Sequence, residues 1–142
     1  MADESEVHGV VQGDGYAVAN VEALGEGPGF RKVRRELGVT AFGVNAIEIP
    51  PGYGTGRHYH DEQEELYFVH RGHVRITLGD GAEHLLGPGG LARVDAATVR
   101  RIENVGDEPA LYLVAGGKDG YVGRDGQLPE GETSRFGPAG PG

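Results

Sequence analysis

His58 and His60 stand two residues apart, and Glu65 follows five residues after the second imidazole. Side chains two apart on an extended strand point to one face, so a strand through His58 and His60 would turn both rings the same way. Glu65 would reach them from a strand beginning Glu65-Leu66-Tyr67-Phe68-Val69. Two imidazoles and one carboxylate form a ligand set that leaves positions open on a non-haem iron or similar divalent ion. The same residues also read as surface histidines in a polar, Gly-rich loop, with Glu62, Glu64 and Glu65 forming a solvated charge run. Spacing alone leaves both readings open.

Strands must hold these side chains, and the chain has the composition for strands. Its 142 residues fit one domain, and its 27 glycines and 8 prolines fall between short apolar runs without a three-residue period. That punctuation predicts a turn-rich all-β domain, a sandwich or a barrel. Strands are predicted over 16–20, 30–34, 40–49, 58–60, 66–70, 73–78, 82–86, 91–94, 99–104 and 110–115. Gly79-Asp80-Gly81 between two of them is a hairpin signal, because Asp-Gly supplies the positive φ such turns need. Segment 21–24 is the one weak helix candidate. Period-two parity then sorts the faces: Glu65, Tyr67 and Val69 share one, Leu66, Phe68 and His70 the other, and Arg100, Ile102 and Asn104 align. With the first set inside, the interior holds His58, His60, Glu65, Tyr67 and Arg100 among apolar residues, a small-molecule pocket with a few convergent polar groups. A single β-bulge would reverse the assignment beyond it.

The residues flanking the histidines sharpen this. Gly52 stands six residues before His58, and Gly72 stands seven after Glu65, directly behind an apolar run. Gly, five residues, His-x-His, four residues, Glu, six residues, Gly resembles the first motif of the cupin superfamily, with Glu65 rather than Glu64 at the ligand position. Pro88-Gly89-Gly90, Val94, Arg100 and Asn104 resemble its second motif, in which a Pro-x-Gly turn precedes a histidine and an asparagine four residues later. The two motifs cover 52–104, and the strand pattern extends the resemblance to about 10–117. The resemblance implies a double-stranded β-helix, the jelly-roll barrel, with irregular N- and C-terminal arms. It also implies His58, His60 and Glu65 as metal ligands, and a homodimer, since exposed sheet edges need covering.

One departure matters: Arg100 falls where the family keeps its third histidine ligand. Arginine stays protonated and has no lone pair to give a metal. A guanidinium about 4 Å from a divalent ion would cost roughly 8 kcal/mol at an effective dielectric of about 20. Arg100 must therefore point away from a metal, contact an anion between them, or pair with Glu65. His73 and His84, on strands near the hairpin, are alternative sources of a third nitrogen; His8 and His70 read as surface residues. Asn104 reads as a residue that pins a strand end.

The rest of the chain bounds the function. A formal charge of -9 argues against non-specific binding to nucleic acid or an anionic membrane. With no cysteine, disulfides, thiolate metal sites and thiol nucleophiles are excluded. The acidic start is unlike a signal peptide, and no apolar run reaches the length of a membrane span, which together predict a soluble cytoplasmic protein. No Gly-Lys-Ser/Thr follows the glycines at 52–56, so a phosphate loop is not indicated. Ser5 and Ser134 lie toward the chain ends and no Gly-x-Ser-x-Gly occurs, so a serine hydrolase is set aside. Arg31-Lys32-Val33-Arg34-Arg35 reads as a solvated basic cluster. Residues 1–9 read as a polar leader, 10–117 as the barrel and 118–142 as a Gly/Pro-rich arm with no core of its own.

Two functions are compatible with these residues. In the first, iron, manganese, nickel or zinc sits on His58, His60 and Glu65, Arg100 orients an anionic substrate through its planar fork, and Tyr67 donates a proton. Dioxygenation or isomerisation of a small acid is the activity the resemblance implies. In the second, the barrel is a non-catalytic sensor or carrier of a sugar or small anion, metal is weak or absent, and Arg100 pairs with Glu65.

Overall fold

The computed structural model of the chain describes residues 5–132 and 135–138. Ser134 and the outermost residues of both predicted arms therefore lie outside the described residues. The strands are β1 (Val11–Gly13), β2 (Tyr16–Val18), β3 (Gly29–Arg31), β4 (Gly43–Ile49), β5 (Tyr53–Thr55), β6 (Tyr59–His60) and β7 (Glu64–Arg71). They continue as β8 (Val74–Leu78), β9 (Glu83–Leu86), β10 (Leu91–Val94), β11 (Arg100–Asn104), β12 (Ala110–Gly117), β13 (Gly126–Gln127) and β14 (Phe136–Pro138). Two five-stranded sheets dominate, ordered β10-β7-β12-β4-β3 and β14-β5-β11-β8-β9, while β1-β2 and β13-β6 form two-stranded ribbons. This is the predicted all-β jelly roll. No helix among the described residues is long and apolar enough to cross a membrane.

Alternation along the strands builds the interior. On β7, Glu65, Tyr67 and Val69 are buried while Glu64, Leu66, Phe68 and His70 are exposed, as a period of two requires. Arg100, Ile102 and Asn104 on β11 are likewise buried. A bulge interrupts the β12–β7 pairing between Leu111 and Tyr112, but the register through Val114↔Tyr67 and Gly116↔Glu65 is regular, so the parity of Glu65 survives. Ile49, Val69, Val74, Ile76, Ile102 and Tyr112 anchor the core between the sheets. Burying each such side chain contributes about 1.5–3 kcal/mol. Asn104 pins its strand end: its amide donates to the carbonyls of Ile49 and Glu108, both at 2.8 Å, and its oxygen accepts from Gly106 N–H at 2.9 Å.

Two glycines meet conformational demands. Gly81 adopts φ 89° in the turn between β8 and β9, where Asp80 accepts from the Ala82 N–H at 3.0 Å. Gly72, with φ 81° between β7 and β8, passes so close to Ala110 that a Cβ there would lie 2.7 Å from its Cα.

Two predicted elements come out differently. Segment 30–34 is strand only to Arg31, and Val33–Leu37 form a short helix, α1. Gly38 ends α1 in the left-handed conformation (φ 74°) and its N–H bonds back to Arg34, so a helix C-cap outcompetes the strand pattern. Val21–Leu24, the weak helix candidate, is a 3-10 turn capped by Asn20, whose side chain accepts from Glu22 N–H at 2.9 Å. The segment after Gly117 returns to the barrel, where β13 pairs with β6 and β14 with β5.

Candidate metal centre

β6 and β7 bring the predicted ligands together. His58 enters through a bridge in which its backbone N–H donates to the Arg100 carbonyl at 3.0 Å and its carbonyl accepts the Arg100 N–H at 2.8 Å. His60 follows on β6 and Glu65 opens the inward row of β7. Potential ligand atoms of His58, His60 and Glu65 all lie within 4.8 Å of one another. The rings meet edge to face, 5.5 Å between centroids.

Each imidazole has its Nδ1 occupied from behind. His58 Nδ1 donates to the Gly56 carbonyl at 3.1 Å, which leaves Nε2 as its free nitrogen. His60 Nδ1 faces Asp125 Oδ1 at 2.8 Å, and its Nε2 lies 3.0 Å from Glu65 Oε1. A carboxylate behind a histidine fixes tautomer and ring orientation and raises the basicity of the other nitrogen, the arrangement found behind metal-bound histidines. Asp125 is itself built in: its second oxygen accepts the backbone N–H groups of Glu62 and Gln63 at 3.0 and 2.9 Å, and its first also accepts from Gln63 Nε2 at 2.7 Å.

Electrostatics follow from this packing. Burial pushes the His58 pKa down, which keeps the ring neutral. Burial also opposes charge on His60, yet the Glu65 hydrogen bond and charge, with Asp125, outweigh it and raise the pKa. Burial would raise Glu65, but hydrogen bonds from His60 and Tyr67 and the nearby cations hold it below the ordinary carboxylate range. Asp125 is opposed by burial too, and the Gln63 N–H, His60 and Glu62 N–H bring its carboxyl down to about 2. Tyr67 donates to Glu65 Oε1 at 2.6 Å; burial, then the Glu65 charge, push its pKa well above the ordinary phenol value, so it keeps its proton.

Arg100 is fully buried behind this cluster. Its Nη2 donates to the Asp95 carbonyl at 2.7 Å, and Nη1 lies 3.9 Å from Glu65 Oε1, an ion pair without a hydrogen bond. Nε and Nη1 find no hydrogen-bond acceptor among the described residues. His73 and His84 are exposed and do not join the cluster.

A cavity of about 280 Å³ opens onto the cluster, lined by His58, His60, Glu65, Tyr67, Tyr112 and Phe136 among others, but not by Arg100. The five side chains expected inside the barrel are thus together, with the guanidinium as a backing charge rather than a wall of the cavity. Sequence reasoning missed Asp125 and Gln63, and it missed that Leu128 and Phe136 of the predicted arm line the cavity. The apolar residues Val122, Leu128 and Phe136 punctuating that polar stretch were the available signal.

The family profile described as Cupin domain matches residues 45–116. No curated protein matches the chain. Among solved structures, a chain from the work on the DMSP lyases RdDddP and RnDddQII is 27% identical with a TM-score of 0.55, over 63% of this chain and 44% of that one. DMSP lyase DddQ from Ruegeria pomeroyi DSS-3 is 24% identical with a TM-score of 0.56, over 64% and 45%. A protein with a double-stranded β-helix domain from Klebsiella pneumoniae subsp. pneumoniae is 19% identical with a TM-score of 0.53, over 71% and 76%. The chain therefore spans less than half the length of the lyase chains it resembles.

Proposed function

The chain belongs to the cupin domain family, and on that premise we propose that it binds a divalent metal on His58, His60 and Glu65 and acts on a small organic anion. One observation carries the reading: both histidines are tied at Nδ1, by Gly56 and Asp125, so that Nε2 is the nitrogen each would turn to a metal, that of His60 already facing Glu65 Oε1 at 3.0 Å. The donor set of two imidazoles and a carboxylate suits iron, manganese, nickel or zinc. The fit includes charge. With neutral histidines, Glu65 and Asp125 supply two negative charges and Arg100 one positive, so a divalent ion leaves the cluster with an excess positive charge that an anionic ligand neutralises.

When bound, the metal would supply Lewis-acid polarisation of a ligand oxygen or activate dioxygen, which covers isomerase, lyase and dioxygenase chemistry. The chain's own residues do the rest. Tyr67 steadies Glu65 and holds a proton at the cavity wall, His60 is locked in orientation by Asp125, and Tyr112 and Phe136 exclude water. Arg100, which the sequence suggested as a substrate clamp, acts instead by offsetting Glu65 from behind. We place the protein in the cytoplasm as a homodimer.

A second reading draws on a different observation. His60 lies between Glu65 and Asp125 at 3.0 and 2.8 Å, so a protonated ring closes a metal-free network with Arg100 at its end. In that form the barrel is a binding module. Metal analysis of untagged protein separates the two. Near-stoichiometric metal that is lost in His58→Ala supports the enzyme; metal-free protein whose ligand binding survives that substitution supports the module.

A further inference from the structure

A second, larger cavity of about 500 Å³ adjoins the first, with Phe30, Asn45, Gln63, Glu65 and Val114 lining both. Ligand pockets typically span about 300–1,000 Å³. Four cations, Lys32, Arg34, Arg35 and Arg124, stand in the rest of its lining. The cluster expected to be merely solvated therefore forms the rim of a cavity that runs into the metal-centre candidate.

None of the four makes an ion pair among the described residues, although the chain carries a net charge of -9. Arginines elsewhere on the barrel, Arg31, Arg71, Arg75 and Arg93, each hold a carboxylate. One of the four is also held in place. Arg34 stacks over the Tyr121 ring with its guanidinium carbon 4.0 Å from the centroid. Arg124 takes a left-handed backbone conformation, φ 54°, immediately before the buried Asp125 that locks His60. A non-glycine residue held there marks backbone fixed by its surroundings, a pattern common at ligand clamps. Like charges gathered around one cavity repel, and an anion between them reverses the sign of that interaction.

We propose that this outer cavity is an oxyanion subsite for the far end of an extended ligand, a small organic acid bearing a second phosphoryl or carboxylate group, whose near end lies at His58, His60 and Glu65. The proposal rests on the reading of the inner cluster as a ligand site, but the subsite itself needs no metal. It deepens that reading by requiring two anionic groups on the ligand.

Calorimetric titration tests it, with inorganic phosphate and succinate as probes of the metal-free full-length protein and phosphoglycolate as the probe of the zinc-loaded protein. Phosphate or succinate should bind the wild type, weakening as ionic strength rises to ~0.15 M. The Kd should rise about tenfold or more in the exposed pair Arg35→Gln/Arg124→Gln. A further loss is expected on adding Arg34→Gln, with circular dichroism confirming the fold; the exposed pair keeps the test valid if that triple variant is unstable. In His58→Ala the phosphate Kd should stay within about twofold, a change too small to mark a lost charge contact. In the zinc-loaded protein phosphoglycolate should bind more tightly than phosphate and lose that advantage in His58→Ala. The tighter of phosphate and succinate identifies the terminal group as phosphoryl or carboxylate. An unchanged phosphate and succinate affinity in the arginine variants overturns the subsite. So does anion binding that disappears in His58→Ala alone, since the anion would then sit at the inner cluster. Phosphoglycolate binding no tighter than phosphate in the zinc-loaded protein overturns the extended ligand. Anion binding that depends on the arginines in a protein that never acquires metal supports the subsite while refuting the metal centre.

Discussion

Asp125→Asn is the sharpest available perturbation of the centre, because it keeps shape while removing one negative charge and one acceptor oxygen. In the wild type one oxygen faces His60 Nδ1 and Gln63 Nε2 at 2.8 and 2.7 Å, and the other accepts the Glu62 and Gln63 backbone N–H groups at 3.0 and 2.9 Å. An amide has a single acceptor oxygen, so an NH2 group must face one of these two sides. With the oxygen toward the backbone, the NH2 opposes His60 Nδ1–H and drives that proton to Nε2, the nitrogen facing Glu65. With the oxygen toward His60, two backbone donors lose their acceptor. Loss of such an outer partner typically costs ~10–100-fold in metal affinity. That corresponds to about 1.4–2.8 kcal/mol. Metal-free stability should fall by about 2 kcal/mol, since hydrogen bonds to a charged group are worth about 1.5–3 kcal/mol. For a chain of this size that lowers Tm by ~4–8 °C. The assay is zinc competition against a chromophoric chelator, with nitrogen NMR reading the His60 tautomer and thermal melts reading stability. Asp125→Ala is the control: it removes the orienting partner without imposing the wrong tautomer, so affinity should rank wild type, then Ala, then Asn. Zinc affinity in Asp125→Asn equal to wild type, or above that of Asp125→Ala, would refute the assignment of His60 Nε2 as a ligand.

Arg100→His should raise zinc affinity by at least about tenfold, because it removes a cation whose repulsion of a divalent ion is large at short range; an unchanged or lower affinity in the same competition assay counts against the counter-charge role. Metal-free stability should change with pH on two limbs set by Asp125 and His60, while the lowered His58 pKa takes stability away as pH falls below 6.5. The lowered Asp125 pKa, about 2, gives stability that is present above the ordinary 3.8 and lost as pH falls toward about 2, while the raised His60 pKa gives stability present below 6.5 and lost as pH rises through it. Urea melts across the pH range should show both limbs, with the acid limb flattened in Asp125→Asn. Dimerisation is expected through the outer face of β7 and β10, where the paired Phe68 and Leu91 are 38% and 60% exposed. Sedimentation should give a dimer that Phe68→Asp dissociates, and a wild-type monomer at micromolar concentration would remove the expectation.

The parts of this site that were legible in the sequence are those fixed by local rules. Parity on β7 put Glu65 and Tyr67 inward because an extended strand has no freedom to do otherwise once Val69 is in the core. The His-x-His pair on a short extended segment follows the same rule, and Gly72 is needed where Ala110 passes at 2.7 Å from its would-be Cβ. What was illegible is non-local. Asp125 lies 65 residues from His60, in a stretch whose glycines and charges read as an arm, and only the pairing of β13 with β6 brings it behind the ring. The cavity beside Lys32, Arg34 and Arg35 of the basic cluster was illegible for a related reason. The cluster's charges look solvated when counted alone, and they become a cavity wall only once α1 replaces a strand and Tyr121 and Arg124 arrive from the far end of the chain. Both omissions share a cause: the barrel sets which atoms are inside, whereas the segment after Gly117 sets what those atoms face. In a fold that hosts many activities, the informative residues for this chain are therefore the ones least constrained by the barrel pattern, Asp125 and Arg124, adjacent in sequence, one locking His60 from behind and the other lining the outer cavity.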